Sequence, residues 1–76
     1  MCELIKFIVS QLVEDKENVS VTVEEKEGVE VVTIKVADGD VGRVIGKQGR
    51  VAMAIRTIAK SVGIKNGKHY SIEIAD

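Results

Sequence analysis

The stretch Gly42-Arg43-Val44-Ile45-Gly46-Lys47-Gln48-Gly49-Arg50 decides how this chain is read. It packs three glycines and three cations into one run that holds no carboxylate. Glycines beside cations suggest a phosphate, and several glycine loops bind one. The phosphate-binding loop of nucleotide hydrolases needs four residues between its glycines and a Ser or Thr after the lysine. Here three residues separate Gly42 from Gly46, and Gln48 follows Lys47, so no hydroxyl is offered to magnesium. The dinucleotide fingerprint needs Gly-x-Gly-x-x-Gly after a strand. The spacing here is Gly-x-x-x-Gly-x-x-Gly, and the preceding segment reads as a helix. A calcium loop opened by Asp38 would need a bidentate Glu at its twelfth position, where Gly49 stands. What remains is Gly-x-x-Gly, Gly46 to Gly49, joining two helices. Glycines there strip away side chains, so a sugar-phosphate backbone can approach the peptide backbone. The following helix presents free N–H groups and a positive dipole end. A tight helical joint needs the same glycines, but Lys47, Arg50 and the lack of acids around them favour an anion.

Working outward, Asp38-Gly39-Asp40 ends the segment before the run, and Asp40 suits a helix cap through its carboxylate. A short helix is expected over about 41–45 and a longer one over about 50–62. Val51, Ile55, Ile58, Ala59 and Val62 form the buried stripe of the longer helix; Arg50, Met53, Arg56, Thr57 and Lys60 lie outside. Arg56 and Lys60 suit solvated helix charges as well as they suit anion contacts. Residues 63–68 read as a loop. Residues 69–75 read as a last strand, with Tyr70, Ile72 and Ile74 inward. Upstream, residues 2–15 form an amphipathic helix through Leu4, Ile5, Ile8, Val9 and Leu12. Residues 19–25 and 29–37 alternate as strands, turning at Lys26-Glu27-Gly28. The order α-β-β-α-α-β predicts an α+β two-layer domain, a three-stranded sheet with helices packed on one face. It spans 1–76 as a single domain, because 76 residues leave room for no second core.

The charges are unevenly spread. Residues 1–40 hold ten acids and four bases, whereas residues 41–76 hold two acids and seven bases, for a net −1 overall. Between Val41 and Ile72 no carboxylate side chain occurs. That half predicts a basic face for a polyanion, approached under guidance from the acidic half. One cysteine, Cys2, and one histidine, His69, exclude an internal disulfide and argue against a dedicated metal site. No cofactor is expected. His69 reads as an exposed strand-start residue, or less simply as a phosphate contact. No run of 18 apolar residues occurs, so no membrane span is expected. Met1 to Lys16 lacks a basic leader followed by an unbroken apolar core, and predicts no signal peptide. A lone thiol without an export signal fits the cytoplasm.

Val44-Ile45-Gly46-Lys47-Gln48-Gly49-Arg50 resembles the Ile-Gly-x-x-Gly signature of KH domains, RNA-binding modules that clamp about four nucleotides. The element order resembles the type II arrangement, and the likeness covers nearly the whole chain. A free-standing domain of this size is similar to the KhpA family of small bacterial RNA-binding proteins. The run from Gly42 to Lys60, with Ala54-Ile55-Arg56-Thr57-Ile58, carries that likeness furthest. It implies a non-catalytic protein that grips single-stranded RNA, acting as an RNA chaperone or post-transcriptional regulator. It implies that Gly46, Lys47, Gln48 and Gly49 contact the RNA backbone, with Arg43 and Arg50 beside them. Ile45, with Val44, would form part of the floor under the bases. Lys65 and Lys68, in the loop before the last strand, would form the opposite rim. It also implies pairing, as a homodimer or with a larger KH protein of the KhpB (Jag) type.

The alternative is a protein-interaction module, with Met53, Ala54 and Thr57 as a pairing surface and RNA binding weak or lost. Enzymatic function is not expected, because no nucleophile–base–orienter set is visible. With only Phe7 and Tyr70 as aromatics, and neither near the glycine run, no broad stacking platform is expected.

Overall fold

The computed structural model describes residues 2–75. Met1 and Asp76, the two ends of the expected domain span, lie outside the described residues. Six main elements follow in the expected order: α1 Cys2–Leu12, β1 Ser20–Lys26, β2 Val29–Lys35, α2 Val41–Ile45, α3 Arg50–Asn66 and β3 His69–Ala75. The three strands form one sheet in the order β1-β2-β3. β1 and β2 are antiparallel, while β2 and β3 run parallel.

The register explains the core. Val32 pairs with Val23 on one side and Ile72 on the other; Ile34 pairs with Val21 and Ile74. Alternation puts these residues on one sheet face. There they pack with Ile5 and Val9 of α1, Val44 of α2, and Ile55 and Ala59 of α3. The layer order is therefore the expected one, with helices over a single face of a mixed sheet. The β1–β2 hairpin closes on Glu27 and Gly28, both at positive φ (49° and 83°). Two central residues of that hand match the twist of antiparallel strands.

Several boundaries depart from the sequence reading. α1 stops at Leu12 rather than at Asp15. The Lys16 ammonium donates to the carbonyls of Ser10 and Val13, at 2.7 and 3.2 Å, and so satisfies the end of the helix. β2 ends at Lys35, two residues early. The largest difference follows α3. Its helix continues to Asn66 and absorbs most of the expected loop, because Gly63 is buried and helical. A Cβ at Gly63 would lie 2.6 Å from the Lys68 carbonyl oxygen. Glycine there lets β3 start hard against α3, and only Gly67 and Lys68 are left to connect them.

The buried stripes are also narrower than expected. Leu4 and Val23, expected inward, are exposed at the margins of the core, and Ile58 of α3 is 39% exposed. The side of α3 that meets the sheet is centred on Ala52, Ile55, Ala59 and Gly63. No helix among the described residues is long and apolar enough to cross a membrane.

Candidate nucleic-acid interface

The Gly-x-x-Gly turn is a 3₁₀ turn, Lys47–Gly49, between α2 and α3. Gly46 has φ 77° and ψ 175°, a region open essentially to glycine alone. A Cβ there would also stand 2.9 Å from the Val51 backbone nitrogen. Gly46 is therefore demanded twice, by torsion and by space. Its N–H donates to the Gly42 carbonyl at 2.9 Å, which closes α2. Gln48 takes a left-handed conformation with φ 58° and ψ 25°, and Gly49 follows at φ 76°. The Gly49 N–H returns to the Gly46 carbonyl at 3.2 Å. Lys47 and Gln48 are thus held at the tip of a narrow turn, both exposed. Behind them α3 begins without a side-chain cap and without an acid in its first turn. Its positive end is left to whatever anion meets the turn.

The turn opens into a groove between α3 and the outer edge of β3. Its near segment, about 360 Å³, is lined by Ile45, Gln48, Gly49, Met53 and Ile74 among others. Its far segment, about 580 Å³, runs past Lys60, Ile64 and Tyr70 to Lys68 and His69. Arg56 lines both segments and joins them. No carboxylate lines either segment among the described residues. β3 is the last strand of the sheet, so one row of its backbone N–H and C=O groups faces this groove without a partner strand.

The expected site residues divide by position. Ile45, Gln48 and Gly49 line the groove, and Gly46 shapes the turn. Lys47 and Arg50 are exposed at the turn beside it. Lys68 stands at the far end, with its ammonium 3.9 Å from the Glu30 carboxylate. Lys65 does not join them. It lies nine residues beyond Arg56, about two and a half helical turns, and so faces the opposite side of α3. The long α3 is the cause: a lysine expected in a loop is fixed in a helix.

Arg43 is likewise drawn away. Its guanidinium pairs with Glu14 at 2.8 Å and approaches Asp40 at 3.3 Å. Asp40 stands at the cap position of α2, yet it makes no side-chain bond to that helix. Its carboxylate instead accepts the backbone N–H groups of Glu14 and Asp15, at 3.1 and 3.0 Å. Those two bonds, aided by Arg43 and Lys16, outweigh burial and hold the carboxyl below its ordinary value of 3.8. Asp40 thus fastens the start of α2 to the end of α1.

Arg56, Lys60, His69 and Tyr70 form the groove wall that the sequence left unassigned. Arg56 and Lys60 are four residues apart and therefore share a side of the helix, and Ile64 continues that row. An exposed row at i, i+4, i+8 leading away from the glycine turn was the available signal. Charge alone did not distinguish it from a solvated face.

The chain matches the family model described as "KhpA/KhpB, KH domain" over residues 2–74. It is 47% identical over 76 residues to the RNA-binding protein KhpA of Listeria monocytogenes, covering all of both chains. It is 39% identical over 74 residues to the RNA-binding protein KhpA of Borreliella burgdorferi, covering 97% of this chain and 90% of that one. Its fold is similar to part of Aquifex aeolicus Era in a crystal structure bound to GDP·AlF4−, with a TM-score of 0.67 and 19% identity. That likeness covers 96% of this chain and 28% of the Era chain, and it concerns the fold alone. Element order, the turn formed by Gly46 to Gly49 and full-length relatedness agree, and the chain belongs to the KhpA/KhpB KH-domain family.

Proposed function

We propose that this protein binds single-stranded RNA without catalysing a reaction, using the groove that starts at Gly46 to Gly49. One observation carries this reading: the groove is lined by cations and apolar side chains, with no carboxylate, although acids outnumber bases in the chain as a whole. Lys47, Gln48 and Arg50 meet phosphates at the turn, where α3 adds its dipole. Ile45, Met53 and Ile74 supply the apolar floor on which bases lie. Arg56 and Lys68 extend the phosphate track. Arg43 acts by holding α2 in place rather than by touching RNA. The relatives named RNA-binding protein KhpA support the same reading. A reduced Cys2 thiol suits work in the cytoplasm, as an RNA chaperone or a post-transcriptional regulator.

Pairing with a second copy, or with a KhpB (Jag)-type KH protein, is a second reading. Ala54, Thr57 and Ile58 support it, because they are exposed on α3 away from the groove. Sedimentation of wild type beside Ile58→Lys tests it; a monomer for both discards self-pairing through this face.

RNA binding is tested by fluorescence anisotropy with a labelled random-sequence single strand across a salt series, comparing wild type with Lys47→Asp/Gln48→Asp. Wild type is expected to bind with a slope of log K against log salt of about −1.4 to −2.8, for two to four phosphates. The double variant is expected to bind at least about tenfold more weakly, the scale of one or two lost phosphate contacts. Equal binding by both proteins would move the site away from the turn. No binding by wild type would overturn the reading.

A further inference from the structure

We infer that the far segment of the groove is a second nucleotide subsite, which carries the RNA footprint beyond the four nucleotides that a KH module clamps. The inference rests on the RNA-binding reading above and deepens it.

Length is the first argument. α3 has 17 residues and is about 25 Å long. Four nucleotides at the stacked spacing of about 3.4 Å span three steps, about 10 Å, which from Gly49 ends near Arg56. A strand drawn out to twice that spacing covers about 20 Å and still ends before the Gly67–Lys68 turn. The far segment lies there, and at about 580 Å³ it is larger than the near one.

Chemistry is the second argument. Lys60, Lys68 and His69 line the far segment alongside Tyr70, Ile64 and Ile72. Two ammonium groups match a phosphate, and a half-buried aromatic ring beside aliphatic groups matches the face of a base. Ile64 is 74% exposed on α3, an apolar side chain with no protein neighbour covering it. Gly63 brings these parts together. A Cβ there would collide with the Lys68 carbonyl and stand 3.1 Å from the Tyr70 ring, so only glycine lets the start of β3 approach the helix this closely. The far end is then closed by charge. Glu25 and Glu30 line the adjoining hollow, and Glu30 faces Lys68. Carboxylates there turn a phosphate chain away, so the extension is bounded.

The test measures anisotropy with labelled random-sequence strands of four and eight nucleotides, for wild type and for Lys60→Gln/Lys68→Gln. Both lysines are exposed, so the variant keeps its fold. A longer strand offers more binding registers, so the decisive comparison is between proteins at one length. The variant is expected to bind the eight-nucleotide strand about tenfold more weakly, the scale of two lost phosphate contacts. Its binding to the four-nucleotide strand is expected to match wild type. An equal loss at both lengths would reduce the two lysines to a diffuse field and overturn the subsite. No loss at either length would overturn it as well. Lys47→Asp/Gln48→Asp serves as the separate control. It weakens both lengths if the turn is the primary clamp, and failure of wild type to bind either strand sinks the RNA reading itself.

Discussion

The Asp40 carboxylate accepts the backbone N–H of Asp15 at 3.0 Å, across 25 residues of sequence. Its other oxygen accepts the N–H of Glu14 at 3.1 Å. The helix that leads into the glycine turn is thereby anchored to the chain segment leaving α1. Asp40 is 4% exposed, and its charge is balanced by Arg43, which also holds Glu14. The turn is short, but its approach is fixed from outside.

Acid should weaken this anchor first. Folding depresses the Asp40 pKa below 3.8, mainly through the two backbone donors. The unfolded chain therefore binds more protons in that window, and stability falls as pH falls through the depressed folded value. Above the unfolded value the contribution is complete. Thermal melts of wild type between pH 7 and pH 2 should show this loss at the acid end. Asp40→Asn should start with a lower Tm at pH 7 and show a flatter acid limb. Parallel curves would remove Asp40 from the account.

Gly46→Ala should damage the fold as well as the site. The φ/ψ region costs a residue with a side chain about 1–3 kcal/mol, and the new methyl would press on the Val51 backbone nitrogen. A domain of this size gains about 4–11 kcal/mol from folding. A loss at the upper end of the strain range lowers Tm by roughly 10 °C or more. Circular dichroism melts check this, and an unchanged Tm would contradict the geometry.

Gln48→Gly should act in the other direction. Gln48 is held left-handed at φ 58°, which costs about 1–2 kcal/mol for an L-residue. Glycine relieves that strain but loses about 0.5–1 kcal/mol in chain entropy. The net gain of about 0.5 kcal/mol corresponds to a Tm rise of roughly 2–4 °C. A fall in Tm would mean that the Gln48 side chain makes a stabilising contact of its own.

Two arginines should separate in a salt series. Arg56→Gln removes a cation lining both groove segments, and should make the slope of log K against log salt shallower by about 0.7. Arg43→Gln should leave that slope in place, because Glu14 and Asp40 already hold its guanidinium. Its cost in stability is about 0–1 kcal/mol, as for other exposed pairs. Equal slopes for Arg43→Gln and Arg56→Gln would return Arg43 to the RNA contacts.

Much of this protein was legible in one dimension. Alternating valines marked β1 and β2, helical spacing marked α1 and α3, and the glycine spacing marked the turn. Those signals are local, since a strand has a period of two and a helix of 3.6. The excess of cations after Val41 was equally plain, and it anticipated a groove without carboxylates. Residues whose surroundings come from distant chain were not legible in the same way. Asp40 reads as a helix cap, but Glu14 and Asp15 compete for its oxygens and win. Arg43 and Lys65 read as RNA contacts. One is held by acids from α1 and from the α2 cap, and the other is carried round a helix that outlasts its expected end. Gly63 reads as a loop opener, but it is the place where a helix touches a strand. Periodicity and composition thus determined the elements, their order and the turn between α2 and α3. Tertiary packing alone decided which cations face the groove, because the side of a helix that stays open depends on what covers the others.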